Sequence, residues 1–169
     1  MTTTSASEKI NRTSVEEFDV LFVGAGIAGI GGAYHLSTQR PDSSFVVLES
    51  QDHFGGTWWS HNYPGIRSDS DLHTYGYRFK PWTGPPIATA EEILNYMGEV
   101  IDENDLTSQI RYNHKITSAN WSNEDNKWFI EATQTDTDDI RYFSANFLWM
   151  CRGDYRHSEG FTPEWPGMD

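Results

Sequence analysis

The run Phe18–Gly32, FDVLFVGAGIAGIGG, constrains the fold more than any other stretch of the 169-residue chain. An apolar segment, 18–23, leads straight into Gly24-x-Gly26-x-x-Gly29, and apolar residues at helical spacing follow. About twenty residues beyond Gly29, Glu49 closes a second apolar run, Phe45-Val46-Val47-Leu48. Strand, tight turn, helix, strand and acid, in that order, are what a βαβ unit uses to hold a dinucleotide. Gly24 permits the turn out of the strand. Gly26 leaves bare backbone for a pyrophosphate to approach, and Gly29 lets the helix lie close on the sheet. The helix N-terminus offers unpaired N–H groups and partial positive charge to the phosphates. Glu49 stands where it can accept hydrogen bonds from a ribose diol. A glycine-rich turn alone is a weak signal. The strand before it, the helix after it and the acid at the right distance make it specific.

The near-continuous apolar character of 18–23 and 45–49 predicts strands buried on both faces of a parallel sheet. The helix between them spans 27–39, with Ile27, Ile30 and Tyr34 on one stripe, and Arg40-Pro41-Asp42 ends it. From Ser50 to about Pro86 the periodicity is weak, but aromatics are dense: Trp58, Trp59, Tyr63, Tyr75, Tyr77, Phe79 and Trp82. That composition argues against disorder. It predicts an ordered aromatic loop region packed over a ligand, with a short helix near 71–75. Helical spacing returns over 90–102, with Thr89 as N-cap and Glu91 and Glu92 in the first turn. Three alternating segments, 115–121, 127–133 and 140–143, form a β-meander, and 147–151 reads as a buried strand returning to the parallel sheet. The predicted class is α/β: a Rossmann-like domain with a parallel sheet, a β-meander crossover and a long aromatic loop region. Residues 1–17 read as a disordered polar tail, 18–158 as the dinucleotide-binding domain and 159–169, rich in Pro and Gly, as the start of a linker.

Charge and cysteine content narrow the partners. Acidic residues outnumber basic ones 25 to 12, a net charge of −13, which argues against nucleic acid or anionic membrane as a main partner. The single cysteine, Cys151, excludes an internal disulfide and fits a reducing compartment, here the cytoplasm. No apolar run is long enough to span a membrane, and the N-terminal residues lack the apolar core of a secretory signal. His53, His61 and His73 share no face and have no cysteine partner at ligand spacing, so no metal site is expected.

Several stretches together resemble the N-terminal part of flavin-containing Baeyer–Villiger monooxygenases, and within them the ethionamide-activator branch. These are Gly24-Ala25-Gly26-Ile27-Ala28-Gly29, Gly55-Gly56-Thr57-Trp58, Tyr63-Pro64-Gly65-Ile66-Arg67-Ser68-Asp69-Ser70-Asp71 and the segment Tyr75–Trp82. The resemblance implies FAD as the dinucleotide, with NADPH and O2 as co-substrates and a ketone or thioether as substrate. By motif it implies that Gly24, Gly26, Ala28 and Gly29 hold the pyrophosphate and Glu49 the adenosine ribose. Gly56, Thr57, Trp58 and Trp59 would line the flavin side, and Arg67, Ser68 and Asp69 the meeting point of flavin and nicotinamide. Asp69 is the implied catalytic residue, positioning an arginine. Tyr75 would contact FAD, and Ile116 would offer its backbone to adenine. Read from the residues alone, Asp69 is a loop-capping aspartate, and Trp58 and Trp59 are ordinary core.

The sequence also departs from the family pattern. Asn62 stands where arginine is usual before Tyr63. Arg152 stands where a small or hydroxylated residue is usual before Gly153, and Trp165-Pro166-Gly167 replaces a Phe-x-Gly start. A second GxGxxG, for NADPH, is not found in these 169 residues. The expected function is therefore the FAD-binding part of such a monooxygenase, inactive by itself. The alternatives are a stand-alone FAD-binding module or a degenerate remnant. An NAD-dependent dehydrogenase is disfavoured, because the Gly55–Trp58 and Tyr63–Asp71 stretches have no role there.

Overall fold

A computed structural model describes residues 15–155 and 160–167. Expectations for residues 1–14, and the proposed boundary near residue 158, lie outside the described residues. Six strands form one sheet in the order β3-β2-β1-β6-β5-β4. β1 (Val15–Val23) lies in its interior, parallel to both β2 (Phe45–Leu48) and β6 (Ile140–Met150). A helix, α1 (Ile27–Gln39), connects β1 to β2, so the two run parallel. β3 (Ile110–Arg111) adds a short parallel edge to β2. β4 (His114–Ser122) and β5 (Lys127–Gln134) continue the sheet beyond β6 as an antiparallel meander. The predicted class, Rossmann-like α/β with a meander, is the observed one.

Two apolar layers sandwich the parallel strands. On one face Phe22 and Val47 pack with Ile30 and Ala33 of α1 and with Ile93, Met97 and Val100 of α4 (Ala90–Glu103). On the other, Leu21, Val46 and Leu48 meet Ile130 and Ala132 of β5 and Phe143 and Ala145 of β6. β1 and β2 are thus buried on both sides, which is why they carry unbroken apolar runs. α4 begins with a reciprocal capping box. Thr89 Oγ1 accepts from the Glu92 N–H, and the Glu92 carboxylate accepts from the Thr89 N–H at 2.8 Å.

The loop region holds two one-turn helices, α2 (Thr57–Ser60) and α3 (Leu72–Tyr75). Three of its aromatics, Tyr77, Phe79 and Trp82, pack on α1 and α4. Tyr77 donates its hydroxyl to the Ile27 carbonyl at 2.7 Å and stacks with Phe79 and Tyr96. Phe79 stacks on Tyr34 of α1, and Trp82 meets Tyr96 of α4 edge-on. A β-carbon on Gly31 would stand 2.8 Å from the Tyr77 ring, so the helix surface is bare where that ring sits.

Two strand expectations need correction. β1 starts at Val15, so residues 15–17 are strand rather than tail. Glu16 and Glu17 look polar in sequence, but Glu16 is held by both terminal nitrogens of Arg111 at 2.8 Å, and Glu17 by Lys127. Segments 140–143 and 147–151 are not two strands. Residues 140–150 form one strand, β6, whose first half pairs with β5 and which runs along β1 from Tyr142 to Met150, with Cys151 just past its end. Nor is its second half fully buried. Phe147, Trp149 and Met150 are 55%, 43% and 57% exposed. Register places Phe147 beside Val20 and Trp149 beside Phe22, on the face where α1 packs mainly over β1 and β2.

Candidate functional site

Three chain reversals meet at the carboxyl ends of β1, β2 and β6. Gly24 leaves β1 with φ +103°, and its N–H donates to Leu48 O of β2 at 2.8 Å. A β-carbon there would stand 2.8 Å from the Cys151 carbonyl, just beyond β6. Gly55 donates its N–H to the Ala25 carbonyl at 3.0 Å, which brings the second glycine pair against the first. The two turns touch, since a β-carbon on Gly56 would be 3.2 Å from Gly26 Cα. Gly56 itself has φ +55°. Gly29 lies beneath, where a β-carbon would fall 1.9 Å from the Gly24 carbonyl. Its part is close packing of helix on turn.

Glu49 ties these pieces together. It is only 4% exposed. Oε2 accepts from the Ala25 N–H at 2.7 Å, and Oε1 from the Gln51 N–H at 2.9 Å and the Ser50 hydroxyl at 3.2 Å. A carboxylate has about four acceptor positions. Three are used by the protein, so the group braces the glycine turn and keeps capacity for a ligand hydroxyl. The bracing role is not visible in sequence, because it depends on Glu49 and Ala25 meeting across two strands.

A cavity of about 890 Å³ opens at this junction. Of the residues singled out in sequence, Gly24, Gly26, Ala28, Glu49, Gly56, Thr57, Trp58, Tyr75 and Ile116 line it. Trp58 and Tyr75 meet edge-on with centroids 6.4 Å apart, while Ile116 sits near Glu49 because the His114 N–H donates to the Glu49 carbonyl. Arg152, the departure at the end of the last strand, also lines it, as do Ser50, Gln51, His114, Lys115 and Asp154, which no motif marked as ligand contacts. Burial pushes the Cys151 thiol above its ordinary pKa.

Five expected residues do not line this cavity: Gly29, which lies beneath the turn, and Trp59, Arg67, Ser68 and Asp69. Trp59 follows Trp58 on the single turn of α2, so it points elsewhere. It is 38% exposed, stacks on His53 and donates to Asp52 at 3.0 Å, beside a second, more open cavity under α4. Arg67, Ser68 and Asp69 lie on a strand-like stretch stapled to the start of α4: Ser68 N–H donates to Ala88 O, and Ala90 N–H to Ile66 O. Ser68 is buried and donates its hydroxyl to Ser70 O. Arg67 and Asp69 are exposed, and Asp69 accepts only from its neighbour Ser70 among the described side chains. His53, His61 and His73 each bond a main-chain carbonyl through Nδ1. Among the described residues no cluster of metal-ligating side chains occurs, and no helix is long and apolar enough to cross a membrane.

The fold and this junction define a Rossmann-like dinucleotide-binding unit, and a sequence model of the NAD(P)-binding Rossmann-like domain matches residues 23–84. Closer relatives specify more. The chain is 46% identical over 155 residues to the FAD-containing monooxygenase EthA of Mycolicibacterium smegmatis, and 41% identical over 155 residues to the probable FAD-binding monooxygenase AlmA of Acinetobacter baylyi. Each alignment covers 91% of this chain but 31% of the relative. Among solved structures, a steroid monooxygenase bound to NADP superposes with a TM-score of 0.75 at 32% identity, covering 90% of this chain and 29% of that one. A cyclohexanone monooxygenase also gives 0.75, at 26% identity, covering 92% of this chain and 29% of that one. The chain is thus homologous, over nearly all its length, to about a third of flavin-containing monooxygenases of the Baeyer–Villiger kind, which bears out the resemblance carried by its motifs.

Proposed function

We propose that this chain is the FAD-binding part of an NADPH- and O2-dependent flavoprotein monooxygenase acting on a ketone or a thioether. One observation carries the reading: the Gly24–Gly29 turn, Glu49, the Gly55–Trp58 loop, Tyr75 and Ile116 converge on one cavity from five separate places in the chain. The generic βαβ unit accounts for the first two. The second glycine turn and its aromatic neighbours extend the cavity beyond what a mononucleotide needs. The fit to a dinucleotide is physical. Two bare glycine backbones face the space, the first-turn N–H groups of α1 are available to phosphate, and Glu49 retains an acceptor position.

FAD, when bound, would supply two-electron redox chemistry and the reaction with O2. The chain's own residues bind and shield. Glu49 would accept from the ribose hydroxyls, and Ile116 would flank the adenine. The N–H groups of Ala28 and Gly29 would meet the pyrophosphate. Thr57, Trp58 and Tyr75 would border the isoalloxazine and exclude water from it. Arg67, Ser68 and Asp69, outside the cavity here, would act on the nicotinamide side, with Asp69 positioning an arginine from elsewhere in a longer protein. Trp59 would join that outer side. The chain spans about 31% of the length of its curated relatives, and the NADPH site and most of the substrate pocket would come from the remainder. The exposed pair Phe147 and Trp149 on one face of β6 favours this over a stand-alone module, since isolated domains seldom leave such neighbours uncovered on a sheet. We place this chain in the cytoplasm, since its one cysteine fits a reducing compartment.

The test is flavin retention. The purified chain should carry or take up FAD, and Glu49→Ala and Gly26→Val should each lose it. Retention unchanged in both would remove the dinucleotide assignment. The chain with added FAD should not oxidise NADPH.

A further inference from the structure

Arg152 is unusual for its place. It stands two residues past the end of β6 and lines the first cavity. Its Cα stands 3.4 Å from where a β-carbon on Gly24 would be, so its backbone lies against the first glycine of the turn. The residue is exposed, and among the described residues its guanidinium makes no ion pair. Lys115, the other lysine or arginine lining this cavity, is likewise unpaired among the described residues. On the outer faces, by contrast, Lys80, Arg111 and Lys127 are clasped by Glu99 and Glu103, Glu16, and Glu17. Asp154 lines the same cavity as Arg152 yet forms no ion pair with it. Nothing in the described fold holds this cation in place.

The surroundings specify what would. The N-terminus of α1 supplies unpaired N–H groups and partial positive charge at the Gly24–Gly26 turn, against which the Arg152 backbone lies. Glu49, buried and anionic at the β2 side, disfavours a second negative group beside it. The anion therefore belongs toward the α1 N-terminus and Arg152 rather than beside the Glu49 carboxylate at Ala25. A guanidinium presents its N–H groups as a fork that matches two phosphate oxygens at once.

We propose that Arg152 is a ligand-selecting residue that pairs with the diphosphate of a bound dinucleotide, so that the cavity discriminates by phosphate charge as well as by shape. The proposal rests on the dinucleotide reading above and deepens it. Arg152 touches the diphosphate from the β6 side, opposite the α1 N–H groups, and its role is binding rather than support of the fold.

The experiment compares the 169-residue chain with Arg152→Ser, Arg152→Lys and, as a charge control away from any cavity, Arg78→Ser. The probes are FAD, ADP and adenosine, followed by NMR shift titration, which reads weak as well as tight binding. Arg152→Ser should weaken FAD and ADP about tenfold, the size of one charge-assisted contact, and leave adenosine within about twofold. Arg152→Lys should recover part of the loss, and Arg78→Ser should change little. Unaltered ADP affinity in Arg152→Ser would overturn the proposal alone. So would equal losses of ADP and adenosine, which mark a structural effect, or an equal loss in Arg78→Ser, which marks net charge. If the unsubstituted chain binds none of the three probes, the dinucleotide reading itself fails, and Arg152 with it.

Discussion

At Gly26 a methyl group would meet only Gly56 Cα, at an ordinary 3.8 Å, and the backbone φ of −74° is open to any residue. At Gly24 the same methyl would strike the Cys151 carbonyl at 2.8 Å with φ +103°, and at Gly29 the Gly24 carbonyl at 1.9 Å. The three glycines of one motif therefore separate by experiment. Gly26→Ala should keep the thermal midpoint of the parent and lose FAD affinity, because its only cost falls on the ligand. Gly24→Ala and Gly29→Ala should lower the midpoint itself, as scanning calorimetry will show. Glu49 combines both effects. Glu49→Ala orphans the buried Ala25 N–H and should cost about 1–3 kcal/mol in denaturant unfolding without any ligand present. Cys151 gives a further readout: FAD should protect its half-buried thiol from alkylation. The glycines and Glu49 were legible in sequence because a ligand site needs those residue types at fixed spacing. Trp59 was not legible in the same way. Two adjacent tryptophans carry no mark of which one a single helical turn will aim at the cavity.

Among the elements, α4 was readable to within a residue from its apolar spacing and Thr89, and the capping box explains why. Thr89→Ala should cost about 1 kcal/mol, measured by urea unfolding. Accepting from Thr89 also holds the Glu92 carboxyl below its ordinary pKa. The start of β1 was hidden, since Glu16 and Glu17 read as tail until Arg111 and Lys127 are seen across the sheet. The hydrogen bonds from Arg111 hold Glu16 below its ordinary value of 4.5. A depressed carboxyl contributes stability that is full above its unfolded pKa and is lost as pH falls through the folded one. The thermal midpoint should thus drop as pH falls below about 4.5, and Glu16→Gln should flatten that drop. An equal drop in the variant would show that the clasp contributes nothing. β6 was misread as two strands because polar Ser144 and Asn146 interrupt its apolar pattern. Asn146 is in fact paired with Asp19 of β1, and Ser144 is buried.

For the whole molecule, the open strip on β6 makes a statement about assembly. The covering helix α1 reaches β1 and β2, and the α1-side face of β6 is left with Phe147 and Trp149 outward. The isolated chain should self-associate with rising concentration in sedimentation experiments, and Phe147→Ser should reduce this without loss of FAD. Sequence could not show the exposure, because an apolar run looks the same whether this chain or another part of a longer protein covers it. The Arg67–Asp69 stretch has the same character. Its motif is specific, yet its surroundings among the described residues are solvent and the start of α4, so the motif's implied partner does not appear among them.

The most direct test of the central claim is a parallel equilibrium titration of the 169-residue chain with FAD and with NADPH, read by flavin and nicotinamide fluorescence. The expected result is one FAD per chain, abolished by Glu49→Ala, with NADPH binding much more weakly and no NADPH consumed. NADPH binding tighter than FAD, or FAD binding indifferent to Glu49, would contradict the assignment of this cavity to a flavin dinucleotide.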